Sequence, residues 1–287
     1  MHIVRYAEGS GPARVGILDE AGIAPLEEVA DLAELLRLPL AGIRSLVEEA
    51  AAGGERLAPD GVRLLAPVDG RTEVWAAGVT YERSREARVE ESGQLSVYGA
   101  VYEADRPELF LKSVPWRVRT DGQPAGLRGD ADNSVPEPEL ALLVNRHGEI
   151  VGATVCDDLT ARSVEGENPL YLPQAKIYTG SCSLAARIRP WWEIADPAAL
   201  GIRMRVLRDG GTAFKGETST ASLHRTFDDL VSWLYRELDL PDGAVLATGT
   251  GIVPPLDAGV RPGDTVEIEI DEVGTLTHEL VVATPRG

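Results

Sequence analysis

Apolar positions along this chain change their spacing from one segment to the next, and the spacing predicts the elements. Val29, Leu32, Leu35 and Leu36 recur at helical spacing until Pro39 stops the run, and Ile43, Leu46 and Val47 begin a second helix that ends before Gly53-Gly54. Residues 2–25 read as short strands around a Gly-Ser-Gly-Pro turn, so residues 1–70 are expected to form a small α+β domain. Val74 to Val79 has the pattern of a buried strand, and Leu140–Val144 and Ile150–Cys156 are strand-like runs on either side of a polar, Gly-containing turn. Residues 202–214 alternate around Asp209-Gly210-Gly211, a hairpin signal. Phe227, Leu230, Val231 and Leu234 mark an amphipathic helix with Ser222 or Thr226 as its cap, and Thr265–Ile270 and Leu276–Val282 close the chain as a strand pair. Residues 71–287 therefore read as a larger domain, rich in strands.

Charge narrows the function classes. The formal charge of −18 sets the surface against nucleic acid and anionic membranes. No apolar run approaches the ~20 residues of a membrane span and Met1-His2-Ile3-Val4-Arg5 lacks a signal peptide's apolar core, so a cytoplasmic protein is expected. Cys156 and Cys182 are too few for a disulfide scaffold and read as small buried residues. Of 28 basic residues only Lys112, Lys176 and Lys215 are lysine, which draws attention to them because only Lys offers a compact amine that can lose its proton. His224 and His278 show no partner in the sequence and read as structural.

The candidate chemistry lies between residues 137 and 176. On a strand, Glu137 and Glu139 share one face. If the two runs after them pair around His147, Glu139 lies opposite Val155 and Asp158 returns near Glu137. A lone Glu-x-Glu is more often a pair of solvated charges; three convergent carboxylates are an oxygen-only donor set suited to Mg²⁺ or Mn²⁺.

Glu137-Pro138-Glu139, Asp157-Asp158-Leu159-Thr160-Ala161-Arg162 and Lys176 follow one another in an order that resembles the fumarylacetoacetate hydrolase family, with Asp157 where the family's pattern has Asn. Ala77–Tyr81, Glu108–Lys112 and Thr248–Gly251 also fall in the family's order. The resemblance implies an α+β protein whose larger domain is a mixed β-roll or barrel, metal ligands Glu137, Glu139 and Asp158, and a homodimer or higher homo-oligomer. The family's hydrolases activate water with a His and a Glu in the segment after the first buried strand, where this chain has Ser84 and Ala87. Without that pair, the segment looks like the branch that dehydrates 2-keto-3-deoxy sugar acids, with Tyr81, Arg83, Ser84, Lys112 and Thr250 expected at the substrate and Lys176 as the amine that takes the proton from C3, a Schiff base at Lys176 being the competing role and the acid unassigned. The rival readings are a C–C hydrolase or decarboxylase of an acylpyruvate, with Glu86 or Glu90 replacing the missing pair, and a keto-acid-binding protein without catalysis.

Overall fold

The computed structural model describes residues 1–84, 100–255 and 258–284. The first segment supplies β1 (His2–Glu8), β2 (Arg14–Asp19), β3 (Gly22–Pro25), helices α1 (Leu32–Leu35) and α2 (Leu40–Ala52), and β4 (Val62–Leu65). Then follow β5 (Glu73–Gly78), β6 (Glu108–Ser113), β7 (Ala125–Leu127), β8 (Pro138–Val144), β9 (Ile150–Asp158), β10 (Cys182–Leu184) and β11 (Arg187–Pro190). The chain finishes with β12 (Gly201–Arg208), β13 (Gly211–Ser219), β14 (Ala244–Ala247), β15 (Thr265–Ile270) and β16 (Gly274–Val282). A helix over Phe227–Leu234 precedes β14, and Thr226 caps it by accepting the Asp229 N–H.

Two mixed sheets carry these strands. The larger runs β3-β2-β1-β11-β9-β8-β14-β5-β6, so the N-terminal strands continue the central sheet through β11; the smaller runs β13-β12-β15-β16-β7. Side chains alternate across β8. Leu140, Leu142 and Val144 face the smaller sheet, in one core with Ile202, Met204 and Ile268. Ala141 and Leu143 face the other way, in a core with Leu35, Ile43 and Val47 of the N-terminal helices. Both faces are covered, which is why β8 reads as an unbroken apolar run rather than an alternating one.

The β8–β9 hairpin differs from its expected register by one residue. Val144 pairs with Ile150 but Leu143 pairs with Gly152, so Val151 is an extra residue on β9. Past this bulge Glu139 lies opposite Cys156, not Val155, and the Asp158 N–H bonds the Glu137 carbonyl at 2.9 Å. The shift matters because side chains alternate with period two. Without the extra residue Asp158 would oppose Pro136 and point to the face away from Glu137 and Glu139; with it, all three carboxylates share a face.

At the bulge the β9 backbone approaches β11 so closely that a Cβ at Gly152 would lie 2.6 Å from the Arg189 carbonyl oxygen and 2.6 Å from Ile188 Cγ2. Gly152→Ala is expected to destabilise the protein by about 1–3 kcal/mol, since neither backbone nor β-branched side chain can yield cheaply. Thermal melts would check this; an unchanged melting temperature would mean the strands have more room than these distances give.

Candidate metal centre

Glu137, Glu139 and Asp158 meet where β8 begins and β9 ends, beside the C-terminal ends of β5 and β14. All three are buried, and one oxygen from each lies within 4.8 Å of the others. Burial, then the neighbouring Asp158 and Glu137, hold the Glu139 carboxyl well above the usual carboxylate range, against the pull of Lys176 and of the Gly249 N–H, which donates to Glu139 Oε2 at 2.7 Å. Desolvation and like charge act in the same direction here.

Cations enclose the triad. Lys176 ends a short helix, Leu172–Lys176, and its Nζ donates to Glu137 Oε2 at 2.5 Å, Asp158 Oδ2 at 3.0 Å and Thr160 Oγ1 at 2.7 Å. Lys112, on β6, is fully enclosed, with Nζ 2.6 Å from Asp158 Oδ1 and 2.6 Å from the Lys176 carbonyl oxygen, to which it donates. Arg162 reaches Glu137 Oε1 at 2.8 Å and Glu165 at 3.4 Å. With every group ionised, four carboxylates (Glu137, Glu139, Asp158, Glu165) face three cations (Lys112, Lys176, Arg162), a surplus of one negative charge in a buried space. Oxygen-only donors, a carboxyl reluctant to ionise and a negative surplus fit a small hard dication such as Mg²⁺.

The triad opens on a cavity of about 80 Å³ that Ser84, Glu108, Phe110, Glu165, Lys176 and Thr250 help to line. Val79, also in its wall, holds φ at 54°, a left-handed conformation that a β-branched residue adopts only when its surroundings impose it. A larger hollow, about 780 Å³, lies on the outer face of the smaller sheet among Arg203, Arg205, Glu267 and Glu269, away from the triad and with its charges paired across the strands.

Of the residues expected at the substrate, Ser84 and Thr250 line the cavity. Tyr81 is buried, its phenol raised by burial and then by Glu139, and its hydroxyl has no hydrogen-bond partner among the described residues. Arg83 is exposed, and Lys112 meets Asp158 and backbone carbonyls. Glu86, Ala87 and Glu90 lie outside the described residues. Sequence reasoning passed over Thr160, Arg162 and Glu165 although two of them stand inside the Asp157–Arg162 motif. It also passed over Glu108, which pairs with Gly78 across β5 and β6. The Glu108 carboxylate occupies the space that the missing side chain of Gly78 leaves, since a Cβ at residue 78 would overlap it and turn it to another rotamer.

Residues 74–281 match the family model described as fumarylacetoacetate (FAA) hydrolase C-terminal, and residues 1–67 match one described as Rv2993c-like, N-terminal. Over 214 residues the chain is 45% identical to a probable 2-keto-3-deoxyxylonate dehydratase of Haloferax volcanii, spanning 75% of this chain and 73% of that one. Over 220 residues it is 41% identical to a 2-dehydro-3-deoxy-D-arabinonate dehydratase of Saccharolobus solfataricus, with shares of 75% and 73%. A solved structure of 2-keto-3-deoxy-D-arabinonate dehydratase complexed with magnesium and 2,5-dioxopentanoate superimposes with a TM-score of 0.84 at 33% identity, covering 99% of this chain and 100% of that one.

The raised Glu139 carboxyl gives the metal-free site a pH dependence of its own. Between the ordinary glutamate value and its own higher value, Glu139 keeps a proton in the folded state that the unfolded chain has released, so its contribution to stability falls as pH rises through that window. Added Mg²⁺ is expected to raise the melting temperature more at the upper end of the window than at pH 5, because less proton must be displaced. Melting curves over pH 5–8 with EDTA or with Mg²⁺ check this, and a pH-independent Mg²⁺ effect would rule it out.

Proposed function

The chain belongs to the fumarylacetoacetate hydrolase family, and from that premise we propose that it dehydrates a 2-keto-3-deoxy sugar acid, such as 2-keto-3-deoxy-arabinonate, to a keto acid semialdehyde. It is an enzyme, a hydro-lyase, and Mg²⁺ is its cofactor. One observation carries the reading: a buried triad of carboxylates bracketed by lysines, in a chain 41–45% identical over three quarters of its length to dehydratases of such acids. Ser84 and Ala87, where the family's hydrolases have a water-activating His and Glu, agree with elimination rather than hydrolysis.

Glu137, Glu139 and Asp158 are the proposed ligands. When bound, the dication supplies a Lewis acid that makes the carbon beside a 2-keto group more acidic. Three acceptors surround Lys176 Nζ, one at 2.5 Å, an arrangement that favours the ammonium over the free amine a base would need. We therefore give Lys176 the acid's part, donating toward the hydroxyl that leaves C4, in place of the base's part expected from the sequence, and give Glu108, a cavity-lining carboxylate outside the triad, the proton from C3. The C3–H and C4–O bonds break and water departs, leaving a C3=C4 enone that still carries the C5 hydroxyl; loss of a proton from C5 and its return at C3 gives the C4=C5 enol, which takes a proton at C4 to become the terminal aldehyde. Ser84 and Thr250 line the substrate's space, Tyr81 and Arg83 are kept as proposed substrate contacts from the same segment as Ser84, and Lys112 orients Asp158 from behind.

The chemistry is assigned to residues 71–287, with residues 1–70 as their support. Among the described residues no helix is long and apolar enough to cross a membrane. A cytoplasmic homodimer or higher homo-oligomer is the reading we adopt, the oligomer implied by the family resemblance and supported by Trp116 and Leu170, exposed at 79% and 83%.

The purified protein is expected to convert 2-keto-3-deoxy-arabinonate to a product lighter by one water, to stop with EDTA and to recover with Mg²⁺. Lys176→Met and Glu108→Gln should each lower kcat at least ~100-fold. Mass spectrometry of the products decides it: pyruvate from an acylpyruvate with the sugar acid untouched would overturn the dehydratase in favour of a C–C hydrolase.

A further inference from the structure

Directly behind the triad lies a second polar pair that the proposed chemistry does not use. Asp157 neighbours Asp158 on β9, so its side chain points to the opposite face, into the apolar core between the sheets. It is fully buried there, and its Oδ2 lies 2.9 Å from Nε2 of His278, which β16 contributes from the smaller sheet and which is also buried. Its Oδ1 accepts the backbone N–H of Glu137 at 3.1 Å. A buried carboxylate needs such donors, and these bonds run in one line from β16 through the imidazole and the carboxylate to the main chain of a proposed metal ligand.

We propose that Asp157 and His278 are positioning residues for the metal centre: together they hold the Glu137 backbone from the inter-sheet side and so aim its carboxylate. The inference rests on the metal-site reading of the previous section. Glu137 stands one residue before β8, between the Pro138–Asp157 pair and the bridge of Val135 to Thr160; its carbonyl is held by the Asp158 N–H, while its own N–H goes to the Asp157 side chain rather than to the facing strand's backbone. Remove the imidazole donor and Asp157 keeps a buried oxygen without a partner, so the carboxylate is no longer fixed in the orientation that receives the Glu137 N–H. Nδ1 of His278 has no hydrogen-bond partner among the described residues, so this imidazole is held to the site through Nε2 alone.

Two conservative exchanges keep the line intact. In Asp157→Asn, Oδ1 still accepts from Glu137 while Nδ2 donates to Nε2, the ring proton moving to Nδ1. In His278→Gln the amide nitrogen reaches about where Nε2 lies. His278→Phe keeps the volume and loses the donor, and His278→Asn keeps an amide too short to reach, a gentler variant should the Phe protein fail to fold.

The probe is Mn²⁺ binding to the full chain, followed by electron paramagnetic resonance without substrate, alongside kcat and KM. His278→Phe and His278→Asn are expected to weaken Mn²⁺ binding ~10–100-fold, the usual cost of losing a group that orients a ligand, while Asp157→Asn and His278→Gln stay within a few-fold of wild type. Wild-type Mn²⁺ affinity in a folded His278→Asn or His278→Phe protein, whatever its melting temperature, would overturn the proposal. So would a conservative pair as weak as the disruptive one. A wild-type protein that binds Mn²⁺ yet leaves the sugar acid unchanged would instead count against the dehydratase and leave the dyad standing.

Discussion

Three carboxylates within 4.8 Å of one another, all buried, are the constraint on which the rest of the molecule depends. At that separation and an effective dielectric of ~20, each pair of like charges costs about 3–4 kcal/mol, so the three pairs together rival the net stability of a typical domain, ~5–15 kcal/mol. No fold carries such a repulsion uncompensated. Lys176, Lys112 and Arg162 approach from three directions and reach different oxygens: Lys176 takes Glu137 Oε2 and Asp158 Oδ2, Lys112 takes Asp158 Oδ1, and Arg162 takes Glu137 Oε1. Among the described residues Glu139 receives a backbone N–H, from Gly249, and burial and its carboxylate neighbours hold its carboxyl well above the usual range. The cage is thus balanced for two of its carboxylates and short of positive charge at the third, which is the electrostatic condition that favours a dication.

Holding that arrangement requires a rigid frame, and both sheets serve it. The central sheet is buried on both faces, by the smaller sheet on one side and the N-terminal helices on the other, so β8 and β9 cannot slide without moving two cores at once. The extra residue at Val151 then decides which face Asp158 presents. The smaller sheet reaches the site at a second point as well: the Gly126 N–H bonds the Gly180 carbonyl at 2.9 Å, fixing the loop that follows Lys176.

How much of this could be read from the chain follows from the range of each interaction. Glu137, Glu139, Asp158 and Lys176 were legible because a hairpin and a motif keep them close in sequence, and the β8–β9 pairing differed from expectation by one residue only because a bulge leaves no mark in hydrophobic spacing. The hairpin at Asp209-Gly210 was legible for a local reason, since both residues need positive φ, observed at 50° and 78°. His278 read as a histidine without a partner because Asp157 stands 121 positions away and belongs to the other sheet. Lys112 stood out by composition, and its place behind Asp158 rather than in front of a substrate is a matter of tertiary depth, which periodicity does not encode. Glu108 was hidden for a similar reason: its carboxylate reaches the cavity by crossing Gly78 on the neighbouring strand, a pairing that sequence spacing does not show.

The same geometry explains why a frame shared with hydrolases can serve elimination. Hydrolysis needs a base directed at water, whereas dehydration needs one group to take a proton from carbon and another to give one to the leaving hydroxyl. In the proposed reading, an ammonium whose three protons all meet acceptors is a poor base and gives up a proton only as Glu137 and Asp158 turn to a metal, while the Glu108 carboxylate lines the same small cavity. Excluding water then favours the reaction twice, by strengthening the fields inside the site and by removing the nucleophile that would divert it. Ser84, small and buried in the same wall, offers neither a base for water nor room for much of it, so the chemistry left to these side chains is the departure of a water from the substrate rather than its addition.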